Sequence, residues 1–379
     1  MKRLERYIPR NRSVLTGKDN LEPLHTVTDF PVFFGCVDTP PDDDIVADME
    51  WKIDPDTGVI QLAKLVPLEI LYQSQHVDGC GPTWQRYYET FARYVAQAKL
   101  SSVLEIGGGQ GRLAQLCVAQ SPNLTWTILE PNPTAIETAN VKILKGFLDE
   151  NFSYDGKVDA VVFGQVMEHA YDPKEFLRAI ARFLKPGGLL IFAYPNLKAW
   201  LEQKYTNALN FEHTMFVTDY FVDYLLAKTS FETLEKSFYE DHSIFYTARV
   251  ASGPVPFILE NKYAEYKKIF DDFTAYHETM VRELNTKIAA AAEPVYLFGA
   301  HIFSQFLIRS GLSTDRIVSV LDNSPAKQGK RLYGTSCITD TPRSLRGKGK
   351  VNVILKAGVH TAEIRRDILE NINGEAVFW

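Results

Sequence analysis

Residues 103 to 111 read VLEIGGGQG, a strand-type apolar run that holds one acidic residue, Glu105, and ends in glycines at 107, 109 and 111. Glycines so placed let a backbone leave a strand in a sharp turn and approach a ligand closely, with the N-terminus of the following helix facing it. The feature therefore asks for a strand, loop and helix of the nucleotide-binding kind. Its spacing narrows the ligand. A dinucleotide fingerprint, G-x-G-x-x-G, would need glycine at 112, where Arg112 stands. A second acidic residue, Glu130, closes the next apolar run, WTILEPN, at 130 − 105 = 25 positions beyond the first.

The surrounding pattern has one period change after another. WQRYYETFARYVAQA, from Trp84, carries apolar residues at helical spacing, and SVLEIG, WTILEP, DAVVFG and LLIFAYPN then read as strands set between helical stretches. Such alternation predicts a parallel, doubly wound α/β sheet. KPGG at 185–188 reads as a helix-ending turn that feeds the last of these strands. Upstream, TPPDDD and DPDTG are turn signals in a small, irregular, partly β module. Between 257 and 292 a long helical stripe includes Tyr266, Phe270, Phe273, Met280, Leu284 and Ile288, best explained as a packing face. EPVYLFGA, RIVSVLDN and VNVILKAG then open a second α/β series that ends at EAVFW. A chain of 379 residues exceeds one ordinary core. The expected division is an N-terminal module at 1–82, a central Rossmann-like domain at 83–253, a helical connector at 254–292 and a C-terminal Rossmann-like α/β domain at 293–379.

The glycine loop with its two acidic residues resembles the class I methyltransferases. The resemblance implies that S-adenosylmethionine is the cofactor, with its amino-acid part over the loop of Glu105, Gly107, Gly109 and Gly111. Glu130 would take both ribose hydroxyls, since one carboxylate offers two acceptor oxygens to a vicinal diol. Pro131 follows it, and Gln165, after DAVVFG, would flank the bound cofactor. The competing reading is a glycine-rich turn of some other nucleotide fold.

Methyl transfer from a sulfonium releases a neutral thioether, so departure needs no acid. It does need an aligned nucleophile, a dry site and a group to take the nucleophile's proton. A histidine beside a carboxylate suits that last task. NFEHTMF, at 210–216, sets Glu212 next to His213 beyond the fifth strand, where this fold builds substrate sites. His169 in MEHAYDP follows the fourth strand, and either a catalytic or a structural place fits it. His76 in YQSQHVDG sits in a polar turn.

Three blocks also resemble the three-part sugar C-methyltransferases, which act on nucleotide-linked keto-deoxysugars: TGVIQLAKLVPLEILY, FEHTMF, and LFGAHIFSQFLIRSGL followed by DNSPAKQGKRLYGT. That resemblance implies His213 as general base, Glu212 as its support and Tyr72 as helper. His76, for which binding and plain exposure fit alike, Asn210 and His169 are the candidates for the substrate side. It also implies a polysaccharide precursor as the acceptor. Two positions depart from the pattern. DPDTG stands where zinc-binding cysteines would precede the QL segment, so no metal is expected there, and Asn210 occupies a place often held by tyrosine. O-methylation of a sugar hydroxyl or phosphate-like group, or a catalytically inactive binding protein, are the alternatives. In the C-terminal domain VYLFGAH lacks two further glycines, so a second dinucleotide is not expected. Lys327 and Lys330 are phosphate candidates there, with solvated surface lysines as the plainer reading.

Composition closes off other classes. A net charge of -6 with no Lys/Arg cluster argues against nucleic acid as a partner. The four cysteines, Cys36, Cys80, Cys117 and Cys337, form no C-x-x-C pair, which leaves free thiols and neither a disulfide framework nor a zinc site. No apolar run follows the basic start, so neither a signal peptide nor a membrane span is expected, and the chain reads as cytoplasmic.

Overall fold

The computed structural model describes residues 1–73, 82–357 and 360–379. His76 and Cys80 lie outside them. The first sheet is built on β1 (Glu22–Pro31), β2 (Ile45–Ile53) and β3 (Ile60–Leu62), with β2 pairing antiparallel to both others. A two-residue strand from far along the chain, Met215–Phe216, completes it by pairing antiparallel with β3. The first sheet thus takes in residues from both sides of position 82. Trp51 of β2 stacks on Phe216 with ring centroids 4.6 Å apart, which fixes the recruited strand by aromatic burial.

Helix α1 (Pro82–Ala96) leads into the central sheet. Its strands are β4 (Ser102–Ile106), β5 (Thr125–Glu130), β6 (Val141–Lys145), β7 (Val158–Gly164), β8 (Leu184–Pro195), β9 (Phe231–Tyr239) and β10 (Ser243–Val250). Their spatial order is β6-β5-β4-β7-β8-β10-β9. The pairs from β6 to β8 are parallel, and β10 runs antiparallel to both its neighbours. Val161, Val162 and Phe163 in the middle of β7 are wholly buried, as a strand covered on both faces requires. The chain winds outward from β4 through β5 to β6, then returns to lay β7 on the other side of β4. That reversal opens a crevice at the carboxyl ends of β4 and β7, the place where doubly wound sheets bind ligands.

Three elements of this sheet were not evident in the sequence. VKILK forms the edge strand β6, the 231–250 stretch forms the β9–β10 pair, and KPGG is taken up into β8 instead of ending a helix. The parallel register accounts for the last: Val158 pairs with Leu184 and Ala160 with Leu189, so the extra residues of β8 bulge out, turning at Gly187 with φ 76°. Helix α2 (Arg112–Gln120) follows β4, and α3 (Pro173–Ala181) follows β7. Asp172 caps α3 by accepting from the amides of Lys174 and Glu175, and Pro173 takes the first helical position, where no amide is needed.

Helix α4 (Asp219–Lys228) packs under β9. The long stripe becomes α5 (Tyr263–Ala290), with Phe270 and Phe273 fully buried. The last sheet contains β11 (Val295–Phe298), β12 (Ile317–Leu321), β13 (Val351–Ile354) and β14 (Ala376–Phe378), all parallel, with α6 (Ile302–Arg309) after β11. Phe306 of α6 meets both Phe30 and Phe273, joining three parts of the chain in one apolar cluster. Asp44, 0% exposed, receives two hydrogen bonds from the Arg331 guanidinium, at 2.5 and 2.7 Å, and a third from the Gly334 amide. This paired, bonded charge ties the residue just before β2 to the C-terminal part of the chain. Among the described residues no helix is long and apolar enough to cross a membrane.

Candidate active site

A cavity of about 630 Å³ opens at the carboxyl ends of β4, β5 and β7. One end is largely backbone. Gly107 turns with φ 73°, and a Cβ on it would lie 2.6 Å from Val166 Cγ2, so only glycine fits. The Gly109 amide donates to Glu130 Oε2 at 3.0 Å and the Asn132 amide to Oε1 at 3.1 Å, which fixes the carboxylate at the tip of β5. Gln165 holds a left-handed backbone, φ 58°, and its amide group donates to Ser243 Oγ at 2.9 Å. An ordinary residue in that conformation is strained, and strain of this kind gathers at ligand sites. Gly107, Gly109, Glu130, Pro131 and Gln165 all line the cavity. Glu105 and Gly111 do not. Glu105 is buried beneath the loop and accepts from Trp126 Nε1 at 2.7 Å, and Gly111 starts α2 with φ 72°, where a Cβ would meet Ala135 at 2.8 Å. Phe147, Leu148 and Asp149, just past β6, also line the space; they were missed because β6 itself was missed.

The other end is made of side chains from three distant segments, Tyr72, His169 and Glu212. Tyr72 Oη lies 3.1 Å from His169 Nδ1, and Glu212 Oε2 lies 4.0 Å from the same nitrogen. Burial, then the charge of Glu212, holds the Tyr72 phenol well above its ordinary range, so it remains an O–H group. Tyr72 also reaches the first end: its ring packs edge-on against Phe147 and its carbonyl accepts from the Asn132 side chain. His213 stands behind His169, with ring centroids 5.4 Å apart. Burial, followed by the charge of His169, lowers His213 to about 3, and its Nδ1 faces the Ala208 carbonyl at 3.3 Å. Since a carbonyl only accepts, Nδ1 carries the proton and Nε2 the lone pair.

Asn210 differs from its expected role on the substrate side. Its Oδ1 accepts from the amides of Glu212 and His213, both at 2.8 Å, and its Nδ2 donates to the Asn207 carbonyl. The side chain shapes the turn that presents the Glu-His pair, an Asx-type motif. Thr214 and Arg10 hold that turn from outside. The Thr214 amide donates to the Glu168 carbonyl at 3.0 Å, while its own carbonyl accepts from the Leu62 amide at 2.9 Å. Arg10 donates to the Leu62 carbonyl at 3.0 Å, to Thr214 Oγ1 and to the Thr214 and Tyr171 carbonyls. Burial lowers Arg10 to about 9, leaving the guanidinium charged at neutral pH. Nothing in the basic N-terminal sequence distinguished this residue from its neighbours.

Residues 82–248 match the family described as a methyltransferase domain. A probable S-adenosylmethionine-dependent methyltransferase of Mycobacterium tuberculosis is 32% identical over 120 residues, covering 30% of this chain and 42% of that protein. A ubiquinone biosynthesis O-methyltransferase of Erwinia tasmaniensis is 28% identical over 164 residues, covering 41% of this chain and 58% of that protein. The chain thus spans about two fifths to three fifths of the length of these curated relatives. Among solved structures, human N-acetylserotonin methyltransferase in complex with SAM is 18% identical, with a TM-score of 0.37, over 45% of this chain and 53% of that one. The central unit has the class I methyltransferase fold, and relatives it resembles are named as S-adenosylmethionine-dependent. Its residues suit that cofactor: the cavity has the size of a small-molecule site, Gly107 leaves a cradle that a Cβ would fill, and Glu130 presents a fixed carboxylate.

Proposed function

We propose that this chain transfers a methyl group to a small, oxygen-rich acceptor of the nucleotide-linked sugar kind, held at the Tyr72–His169–Glu212 end of the cavity. The observation that carries the reading is the sharing of one cavity by the cofactor-side residues and this polar trio. Bound S-adenosylmethionine supplies an electrophilic methyl on a sulfonium. The chain's residues do the rest. Glu130 and the glycine loop hold the donor, and Tyr72 and His169 orient the acceptor by hydrogen bonds. Glu212 takes the acceptor's proton as the electron pair so freed forms the new bond to the methyl carbon. His213, the base expected from the sequence, is too weakly basic at about 3 to keep that proton, and its ring lies behind His169.

The atom methylated is carbon beside a keto group in the first reading. The second reading, oxygen, is favoured by the likeness to a protein named as an O-methyltransferase.

The test has two parts. Calorimetry with S-adenosylhomocysteine should give saturable binding that Glu130→Ala weakens by about tenfold or more. Incubation with labelled S-adenosylmethionine and a panel of nucleotide-linked keto-sugars and hydroxyl sugars, followed by mass spectrometry, should yield one methylated product. No binding of the homocysteine product, or binding indifferent to Glu130→Ala, refutes the reading.

A further inference from the structure

The short turn after β7, Met167–His169, brings Glu168 and His169 beside His213. One ligand-type atom from each of the three lies within 4.8 Å of the other two. Glu168 is 0% exposed, and among the described residues neither of its carboxylate oxygens has a hydrogen-bond partner. An ionised carboxylate in that position is costly unless a cation meets it, and without one burial keeps the group protonated. The buried guanidinium of the neighbourhood does not: Arg10 donates to the carbonyls of Leu62, Thr214 and Tyr171 and to Thr214 Oγ1. The contrast with Asp44, whose two oxygens are filled by Arg331, marks Glu168 as a carboxylate built for something else.

We propose that Glu168, His169 and His213 form a binding site for a divalent first-row transition cation, through the carboxylate and the two Nε2 atoms. Two imidazoles and one carboxylate favour manganese to zinc over magnesium or calcium, which prefer oxygen ligands. The outer hydrogen bonds are those such a site needs. His213 Nδ1 donates to the Ala208 carbonyl, and His169 Nδ1 lies 3.1 Å from Tyr72 Oη, so each ring turns Nε2 away from a partner on its far side. His169 Nε2 and Glu168 Oε1 are 4.0 Å apart, whereas two ligands of one such ion stand on the order of 3.3 Å apart, a change that small side-chain rotations supply. The cation would lie behind His169, on the side of the ring away from Tyr72 and Glu212, and its binding does not depend on the function proposed above.

The test uses the full chain, freed of metal with a chelator and titrated with Co²⁺ as a spectroscopic probe, without donor or acceptor. One equivalent should bind with ligand-field bands of a low-symmetry nitrogen and oxygen site. His169→Gln and His213→Gln should each weaken binding by about 10²-fold, Glu168→Gln by at least about tenfold, and His25→Gln, on the first sheet, not at all. Glu168→Gln keeps the shape and removes a buried charge, so it serves as the folded variant should a histidine variant fail to fold. No stoichiometric uptake, or uptake undiminished by Glu168→Gln, overturns the site. S-adenosylhomocysteine binding measured on the same metal-free samples separates the two ideas. Donor binding without Co²⁺ uptake overturns the cation site alone, and uptake without donor binding overturns the methyltransferase reading alone.

Discussion

The two ends of the cavity are held by different means. The glycine-loop end is made of backbone turns at the tips of neighbouring parallel strands, and its one key side chain, Glu130, is clamped by two amides from its own vicinity. The other end draws Tyr72, His169 and Glu212 from segments far apart in the chain, and they meet only because Met215–Phe216 joins the first sheet and Thr214 bonds across to Glu168. Local geometry sets the first end and tertiary assembly the second. Substitutions should therefore separate donor binding from turnover.

The largest separation is expected for Glu212→Gln. Glutamine keeps the size and the neighbours but cannot take a proton, so turnover should fall by about 10³-fold while S-adenosylhomocysteine affinity stays within about twofold. Steady-state kinetics paired with calorimetry reads both numbers. Equal losses in the two would mean that Glu212 serves the donor, and the division between the ends would fail.

Gly107→Ala probes the opposite end. The added Cβ meets a positive φ, costing about 1–2 kcal/mol, and a branched side chain, Val166, only 2.6 Å away. Together these should weaken donor binding by about 10²-fold, with turnover at saturating donor changed much less. An affinity unaltered within twofold would show that the loop has room the geometry denies it.

How legible each end was follows from the same difference. Glycine spacing and an acidic residue closing a strand are local signals, so the loop of Gly107 and Gly109 and the place of Glu130 could be read directly from VLEIGGGQG and WTILEPN. The Glu-His pair stood out as two ionisable groups among aromatics, yet its division of labour could not be read, because burial weakens His213 while its neighbour Glu212 lines the cavity. Asn210 illustrates the limit most clearly. Position alone suggested a substrate contact, and only the fold reveals an oxygen already accepting from two amides. Edge strand β6 escaped for a related reason: VKILK has two exposed lysines and only one fully buried residue, Val141, and resembles loop as much as strand.

Arg10 gives the smallest of the expected effects and the most specific test of how the side-chain end is assembled. Its guanidinium donates to carbonyls of β3, of the turn after the Glu-His pair and of the segment after His169, so it fastens three pieces of the chain. Arg10→Met keeps the apolar stem and removes these bonds. It also removes the cost of burying a charge whose hydrogen-bond acceptors above are all neutral, so the net loss of stability should be only about 2 kcal/mol, measurable by urea unfolding. The informative comparison is kinetic. If the guanidinium sets the position of Glu212, turnover should fall by about tenfold with donor affinity unchanged, and Arg10→Lys, which restores charge but not the fork of donors, should recover little of it. Full recovery by lysine would mean that the charge, and not the geometry of the clamp, is what the turn requires.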